Sequence, residues 1–458
     1  MGGLFTSLSN AAQSLDAQRY GLDVTGQNIA NLNTEGYVRR RLELAERQPI
    51  DGVGGVQVVG VRASRDAFVD HRLRSELPAQ SHDSAMASAL SVIETSLGST
   101  GKSIDGALSA LFSSFSALSV DPQSAVARDG VVLQGTRLAT AFNDMSSRLD
   151  QSRTQADRDV RSAVDQINTL AGTIAKLNQQ IGDAPTGADI EPLKDQLDLS
   201  LQNLAKLTDV NVISHPNGTM DVALGGGRAL VIGRDSHPLA VTNAPTTGLA
   251  EVRAGGVDIT AQLTGGTLGG HLAVRDSVLP GYQHQLDQLA YDVGTQLNAV
   301  HTGGYDLNGN TGPLLYLPLA TVDGAAASLK FNPALAANNS LIAASGTGAP
   351  GDNGTAKALA SLRDQKVASG NSATFTEAWS QLVNKVGTDS ADARTSLKTR
   401  EDVVSAIQKL RDSVSGVSLD EEAGRLLQFQ RAYEANARYF AAIDSSLSVL
   451  MSTFGVPR

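Results

Sequence analysis

The chain has 458 residues, 41% of them hydrophobic and 18% charged, with 45 glycines, a single tryptophan and no cysteine. It contains no run of about 18 apolar residues that could cross a bilayer, and 37 basic against 47 acidic residues give a formal charge of -10, so membrane insertion and a nucleic-acid partner are both excluded as expectations. Without cysteine there is no disulfide scaffold, no thiol nucleophile and no Cys-ligated metal site, and the length suits several domains.

The first element is a helix over about 4–32. Leu8, Leu15, Leu22 and Ile29 recur every seven residues, with Leu4, Ala11, Gln18 and Thr25 in a companion register; this is the stripe of a helix that packs beside another helix. The polar run at 31–35 and Gly36 end it. The opening Met1-Gly2-Gly3-Leu4-Phe5-Thr6 lacks the basic and apolar regions of a cleaved export signal. Gly2 with Thr6 also fits the letters of a myristoylation site, a short pattern that recurs by chance.

Residues 37–208 are assigned to a helical domain, together with 270–304 and 353–417. Within it, Asp121-Pro122 marks a helix start, and the apolar spacing from Leu138 to Ile181 predicts one or two long helices over 122–182. A shorter helix follows over about 189–207. The texture then changes to short β-rich runs separated by Pro216-Asn217-Gly218 and Gly225-Gly226-Gly227, which predicts an inserted β domain over 209–269. Residues 278–302 return to helical spacing, and 305–352, rich in Gly, Pro, Asn and Ala, read as a loop-rich connection. Thr374 with Glu377 forms a capping-box pattern that opens a helix to about Leu410.

The last element begins at Ser418, where Ser418 and Glu421 have the spacing of a second capping box and Asp420, Glu421 and Glu422 suit the helix dipole. Leu419, Leu426, Tyr433, Phe440, Leu447 and Phe454 keep a seven-residue period, with Phe429, Ile443 and Leu450 alongside. Two such stripes at opposite ends of one chain cannot stabilise themselves as an isolated pair; they need the rest of the chain or neighbouring subunits. Gln18, Thr25 and Asn436 are polar positions that could fix register, as buried polar groups do in coiled coils.

Catalytic chemistry finds little support. The seven histidines never stand at ligand spacing on one helix, and no H-E-x-x-H or phosphate-binding glycine loop is present. Gly265, Gly266, Gly269 and Gly270 read as turns. Asp306-Leu307-Asn308-Gly309-Asn310 starts like a calcium loop, but its sixth position is Thr311 and its twelfth Leu317, so the bidentate acid is missing and a structural turn is expected. No catalytic residue, metal or cofactor is assigned.

Several segments resemble the flagellar axial proteins, most closely the family of the first hook-filament junction protein. At the N-terminal end these are Asn28, Ala30, Asn31, Gly36, Tyr37 and Arg39, within Asn28-Ile29-Ala30-Asn31 and Gly36-Tyr37-Val38-Arg39. At the other end they are Ser418-Leu419-Asp420-Glu421-Glu422, Phe429-Gln430, Ala432-Tyr433 and Ala435-Asn436-Ala437. In between, Asp121-Pro122 with Ala127-Arg128, Ile174 to Asn178, Gly266 to Leu272 and Gly304 to Gly309 carry the same likeness.

The resemblance implies a mainly α, elongated, multi-domain axial protein: terminal coiled-coil helices (1–36 and 418–458), a long-helix bundle around them and an outer β domain. It implies a structural adaptor, not an enzyme, that leaves the cytoplasm through the flagellar type III apparatus and joins hook to filament outside the cell. The implied partners are the hook protein, the second hook-filament junction protein, copies of itself in a ring, and a cytoplasmic export chaperone that holds the C-terminal helix. Leu4, Leu8, Leu15, Leu22 and Ile29 would supply the N-terminal packing; Leu419, Leu426, Phe429, Tyr433, Asn436, Phe440, Ile443 and Leu447 would supply the C-terminal packing. Larger members carry a further outer insertion, for which the run after Gly312 leaves little room. The alternatives are another axial component, such as a hook subunit or the second junction protein, and a flagellum-associated peptidoglycan hydrolase.

Overall fold

A computed structural model describes residues 2–50, 53–97, 103–185 and 188–453. Helix α1 (Gly2–Ala30) leads into two antiparallel strands, β1 (Arg40–Ile50) and β2 (Val53–Ala63). Then come α2 (Ala67–Leu97), α3 (Ile104–Val120), α4 (Ala125–Gly182) and α5 (Glu191–Leu207). The β unit follows: β3 (Val210–Ser214), β4 (Met220–Leu224), β5 (Ala229–Ile232) and β6 (Asp235–Ser236) form one antiparallel sheet in chain order. A second sheet contains β7 (Ala240–Asn243), β8 (Ala250–Ala254) and β9 (Val257–Asp258). Helices α6 (Gly266–Ala273) and α7 (Leu279–Thr302) are joined by a π-turn at Val274–Val278. Two short helices, α8 (Ala325–Ser328) and α9 (Pro333–Ala337), precede α10 (Gly354–Ser361), α11 (Phe375–Ser415) and α12 (Leu419–Thr453). The chain is therefore mainly α with an inserted β unit, and no helix among the described residues is long and apolar enough to cross a membrane.

Helix α4 organises the molecule. Its 58 residues extend about 87 Å at 1.5 Å per residue, and Ser124 caps its start by accepting from the Ala127 amide. From Val131 to Ala156 its apolar face lies in a core shared with α2, α3, α7, α10 and α11; from Val160 to Ile181 it enters a second core with α5, α6 and the β unit. Asp157 stands between the two. Its carboxylate accepts from the Ala250 amide (2.7 Å), the Arg275 guanidinium (2.7 Å) and Arg161 Nε (3.0 Å). Burial acts to raise its pKa, and these donors outweigh that and hold it below the usual carboxylate range. Arg275 lies in the π-turn, and the Arg275 carbonyl accepts from Arg153 Nε of α4 at 3.0 Å. The β unit is thus clasped to the helix and shares its core.

Three features depart from the sequence reading. Residues 40–50 and 53–63, assigned above to the helical domain, form the β1–β2 ribbon, which lies against α1, with Arg47 donating to Gln13 at 3.0 Å. Residues 305–352 are folded into the first core, where Leu315, Tyr316, Leu335 and Ile342 are buried. Side-chain amides and charges replace regular ladders there: Asn298 brackets Leu315 and Tyr316, Asn143 donates to the Ala326 and Leu329 carbonyls, and buried Arg128 reaches the Pro122 and Ile342 carbonyls. Low apolar content concealed this, because polar side chains satisfy the backbone. Finally, Gly266, Gly269 and Gly270 belong to α6, where a methyl group at Gly270 would lie 2.7 Å from the His82 carbonyl oxygen of α2. Helix packing explains Gly270, whereas Gly266 has φ +68° and lies against the Leu207–Thr208 backbone, and Gly269 lies against the Thr264 backbone just before the helix.

His301, fully buried, joins α7 to the 305–352 segment. Its Nδ1–H donates to the Pro313 carbonyl (2.6 Å), and its Nε2 accepts from the Ala343 amide (2.9 Å). Burial pushes its pKa down to about 4, against the pull of the Pro313 carbonyl, and the nearby Arg128 charge lowers it further. The folded pKa lies below the unfolded value of about 6.5, so this contribution is complete above that pH and is lost as pH falls toward about 4. Urea unfolding at pH 7 and at pH 4.5 should differ by roughly 2–3 kcal/mol more in the wild type than in His301→Gln. Equal differences in the two proteins would remove His301 as the cause.

Candidate assembly site

The terminal helices α1 and α12 pack against each other. The buried α1 face consists of Ala11, Ala17, Gly21, Val24, Thr25 and Asn28, whereas Leu4, Leu8, Leu15, Leu22 and Ile29 are half-buried beside it. Gly21 is required by a close approach: a Cβ there would lie 2.5 Å from the Phe429 ring. Small residues therefore make the seam, and the leucine row flanks it. Thr25, expected to set register across the seam, donates its hydroxyl to the Gly21 carbonyl in its own helix at 2.8 Å.

On α12, Ile443 and Leu447 are buried against Ala11, with Leu4, Leu8 and Phe440 around them. Leu426, Phe429 and Asn436 are half-buried. Leu419 (52% exposed) and Tyr433 (40% exposed) instead face outward. A straight α-helix drifts by about 20° per heptad, so the row turns by about 80° between Leu419 and Leu447 and only its end lies fully on the buried face. Tyr20, Leu427, Tyr439 and Val449 are also exposed. These outward residues were not picked out from the sequence, although their types alone mark them as apolar. Phe454, the last expected stripe position, lies outside the described residues.

At the head of the pair sits a buried polar knot. Glu422, 0% exposed, accepts from Arg39 Nε (2.8 Å) on one oxygen, which also lies 2.7 Å from the Arg39 Nη2 charge, and from Asn28 Nδ2 (2.9 Å) on the other. Asn28 Nδ2 also donates to the Arg40 carbonyl, while Asn28 Oδ1 accepts from the Arg40 amide and the Tyr37 hydroxyl, all at 2.9 Å. The Arg39 amide donates to the Ser415 carbonyl at 2.9 Å. One asparagine thus ties α1, the following turn, β1 and α12 together. Burial pushes the Tyr37 hydroxyl pKa up, and Arg40, whose guanidinium lies 5.1 Å from the Tyr37 ring centre, acts against that.

Gly36 takes the left-handed conformation that the turn needs (φ +80°). Asn31 Nδ2 donates to the Gln27 carbonyl at 2.9 Å, closing the end of α1, and Ala30 is exposed. Glu421 was expected to cap Ser418; its carboxylate instead pairs with Arg39 at 2.6 Å, which holds its pKa below the usual range. The Ser418 carbonyl accepts from the Glu422 amide. The stronger charge-assisted bond wins over the cap.

A second ionic layer fastens the knot to the helical core. Arg65 pairs with Glu191 (2.6 Å) and Asp195, Arg74 with Asp198 (2.7 Å), and Arg411 with Asp70 (2.9 Å). Burial, augmented by the nearby Asp70 charge, pushes the Asp198 pKa up against Arg74 and Arg411. These residues link the turn after β2, α2, α5 and α11, so the terminal pair has a defined mount.

Removing one partner of a buried ion pair strands the other. Glu422→Ala should cost about 3–5 kcal/mol at this joint and raise amide exchange in α1 and α12, with protection in the α4 core unchanged. Arg39→Met combined with Glu422→Leu should lose less than Glu422→Ala alone. A larger loss in the double variant would show that the ion pair itself supplies net stability.

Comparison with known proteins gives three concordant matches along the chain. Residues 90–316 match the family described as the flagellar hook-associated protein FlgK helical domain, 8–37 the flagella basal body rod protein family, and 411–453 the C-terminal family of the flagellar basal body rod FlgEFG proteins. Flagellar hook-associated protein 1 of Salmonella typhimurium is 28% identical over 98% of this chain and 100% of its own length; its counterpart in Bacillus subtilis is 27% identical over 100% and 99%. The Salmonella alignment runs to 551 positions, so that protein carries residues that this chain lacks. The flagellar hook junction protein FlgK from Burkholderia pseudomallei shares the fold with a TM-score of 0.67 at 18% identity, covering 75% of this chain and 100% of that one. The chain belongs to the flagellar hook-associated protein 1 family.

Proposed function

We propose that this chain is a structural adaptor of the bacterial flagellum that joins hook to filament through its terminal helices. It is not an enzyme, and its place is the flagellum: its relatives over nearly its whole length are named flagellar hook-associated protein 1, which favours this part over a hook subunit, the second junction protein or a wall hydrolase. The observation that carries the mechanism is the two-sided character of the terminal pair. One side of α12 is consumed inside the molecule by Gly21, Ala11 and the Asn28 knot, while Leu419, Leu427, Tyr433, Tyr439 and Val449 stay exposed. Apolar surface of this kind on a soluble chain marks a face for a partner.

In this reading the outward face packs on copies of the same chain in a ring, with the hook protein on one side and the second junction protein on the other. The half-buried leucines Leu8, Leu15, Leu22 and Leu426 lie at the edge of the seam and complete the packing when neighbours arrive. Before assembly the same C-terminal stripe is held by a cytoplasmic export chaperone, and the chain leaves the cell through the type III apparatus. Burying a Leu-sized side chain at such a contact is worth about 1.5–3 kcal/mol, so a ring of repeated contacts is strongly weakened by one charge per copy.

Leu427→Asp combined with Tyr439→Asp should leave the purified chain folded with unchanged thermal unfolding, yet abolish filament growth on hooks and release monomer into the medium. Leu426→Asp should do the same while also loosening α12 in amide exchange. Normal filaments on hooks carrying the double variant would refute the assignment of the outward face.

A further inference from the structure

We infer that Asn308 is a site of spontaneous chemical modification: its side-chain amide is converted through a cyclic imide to aspartate and isoaspartate, and the fold directs this ageing reaction to one of three Asn-Gly pairs. Asparagine is thermolabile, and a following glycine offers the least steric resistance to ring closure because it has no side chain. The pairs are Asn217-Gly218, Asn308-Gly309 and Asn353-Gly354. In an unfolded chain they would react alike.

The folded environments differ. Asn217 is fixed by its Oδ1, which accepts from the Thr219 amide (3.1 Å) and hydroxyl (2.8 Å), and the Gly218 amide donates to the His215 carbonyl at 2.9 Å. Asn353 donates its Nδ2 to the Ser119 carbonyl at 2.6 Å, and the Gly354 amide that would have to lose its proton donates to the Asp352 carboxylate at 3.2 Å. Gly354 also opens helix α10, whose backbone is committed. Asn308 is exposed, and among the described residues its side chain makes no hydrogen bond. Gly309 has φ +76° with open space around its Cα, and its amide is held only by a 3.2 Å bond to the Asp306 carbonyl.

The chemistry balances without oxidant or reductant. The Gly309 nitrogen gives its proton to water or hydroxide and attacks Asn308 Cγ; the new N–C bond forms as the Cγ–Nδ2 bond breaks and ammonia leaves. Water then opens the imide at either carbonyl, yielding aspartate or isoaspartate. Isoaspartate inserts a methylene into the main chain of a turn in which Asp306 Oδ1 accepts from the Asn308 (2.7 Å) and Asn310 (2.9 Å) amides. The product therefore adds a negative charge and unravels the turn that precedes the 313–345 segment, whose Leu315, Tyr316, Leu335 and Ile342 lie in the core.

The test incubates the purified full-length chain at neutral pH and follows all three peptides by mass spectrometry, with enzymatic methylation to count isoaspartate. In the folded protein Asn308 should convert at least about tenfold faster than Asn217 or Asn353, the factor expected when one or two hydrogen bonds must first be broken. In urea the three rates should converge, and Asn308→Ser should remove the dominant isoaspartate signal. Equal rates in the folded chain would overturn the inference. A preference for Asn308 that persists in urea would also overturn it, since local sequence would then be the cause.

Discussion

A carboxylate placed where no water reaches must be met by donors on every side. Glu422 is such a group, and Arg39 and Asn28 are its donors. An isolated buried charge costs far more than a small protein's whole stability, so these three residues oblige the first helix, the turn after it, the β1–β2 ribbon and the last helix to meet at one point. The requirement is geometric as well as energetic. Asn28 spends both ends of its amide on the knot, and a residue of any other length would leave at least one donor or acceptor empty. The family motif around Asn28, Tyr37 and Arg39 acquires a physical reason here: it is the sequence of a joint.

Below that joint the terminal pair follows a different rule. On the α1 side its seam is made by small side chains, which meet the Phe429 ring, Ile443 and Leu447 of α12 closely and leave the leucine row of α1 at the edge. A pair built with leucines inward would be more stable alone and would offer less to a neighbour. The exposure of Tyr439 and Val449 is thus the counterpart of Gly21 and Ala11 lying inside.

Much of this was legible in the chain. The long helices, the capping box at Thr374 and the inserted strands announced themselves through period, caps and turn residues, and the structure bears out the capping box, with Thr374 accepting from the Glu377 amide and Glu377 reaching back. The β1–β2 ribbon was missed despite the alternation of Leu42 and Leu44 with Glu43 and the Val56-Gln57-Val58 run, because its neighbours on both sides are helical. The 305–352 segment was misread for another reason: its order comes from Arg128, Asn143, Asn298 and His301, which lie elsewhere in the chain or act one at a time, and no local pattern records such partnerships. The knot was visible as a motif but not as a contact, since its halves are almost a whole chain apart. The expected Ser418–Glu421 cap failed because a distant arginine outbid a local amide.

Arg39 and Glu422 are separated by 383 positions, and a pairing of that span has consequences for when folding can finish. Closing so long a loop costs little more than closing one half its length, yet it cannot begin until nearly all of the polypeptide is present. Contacts of this kind slow folding and come last. A chain that stops short of the final helix therefore keeps the Arg39 guanidinium and the Asn28 amide without Glu422, and only a copy that includes α12 can close the knot.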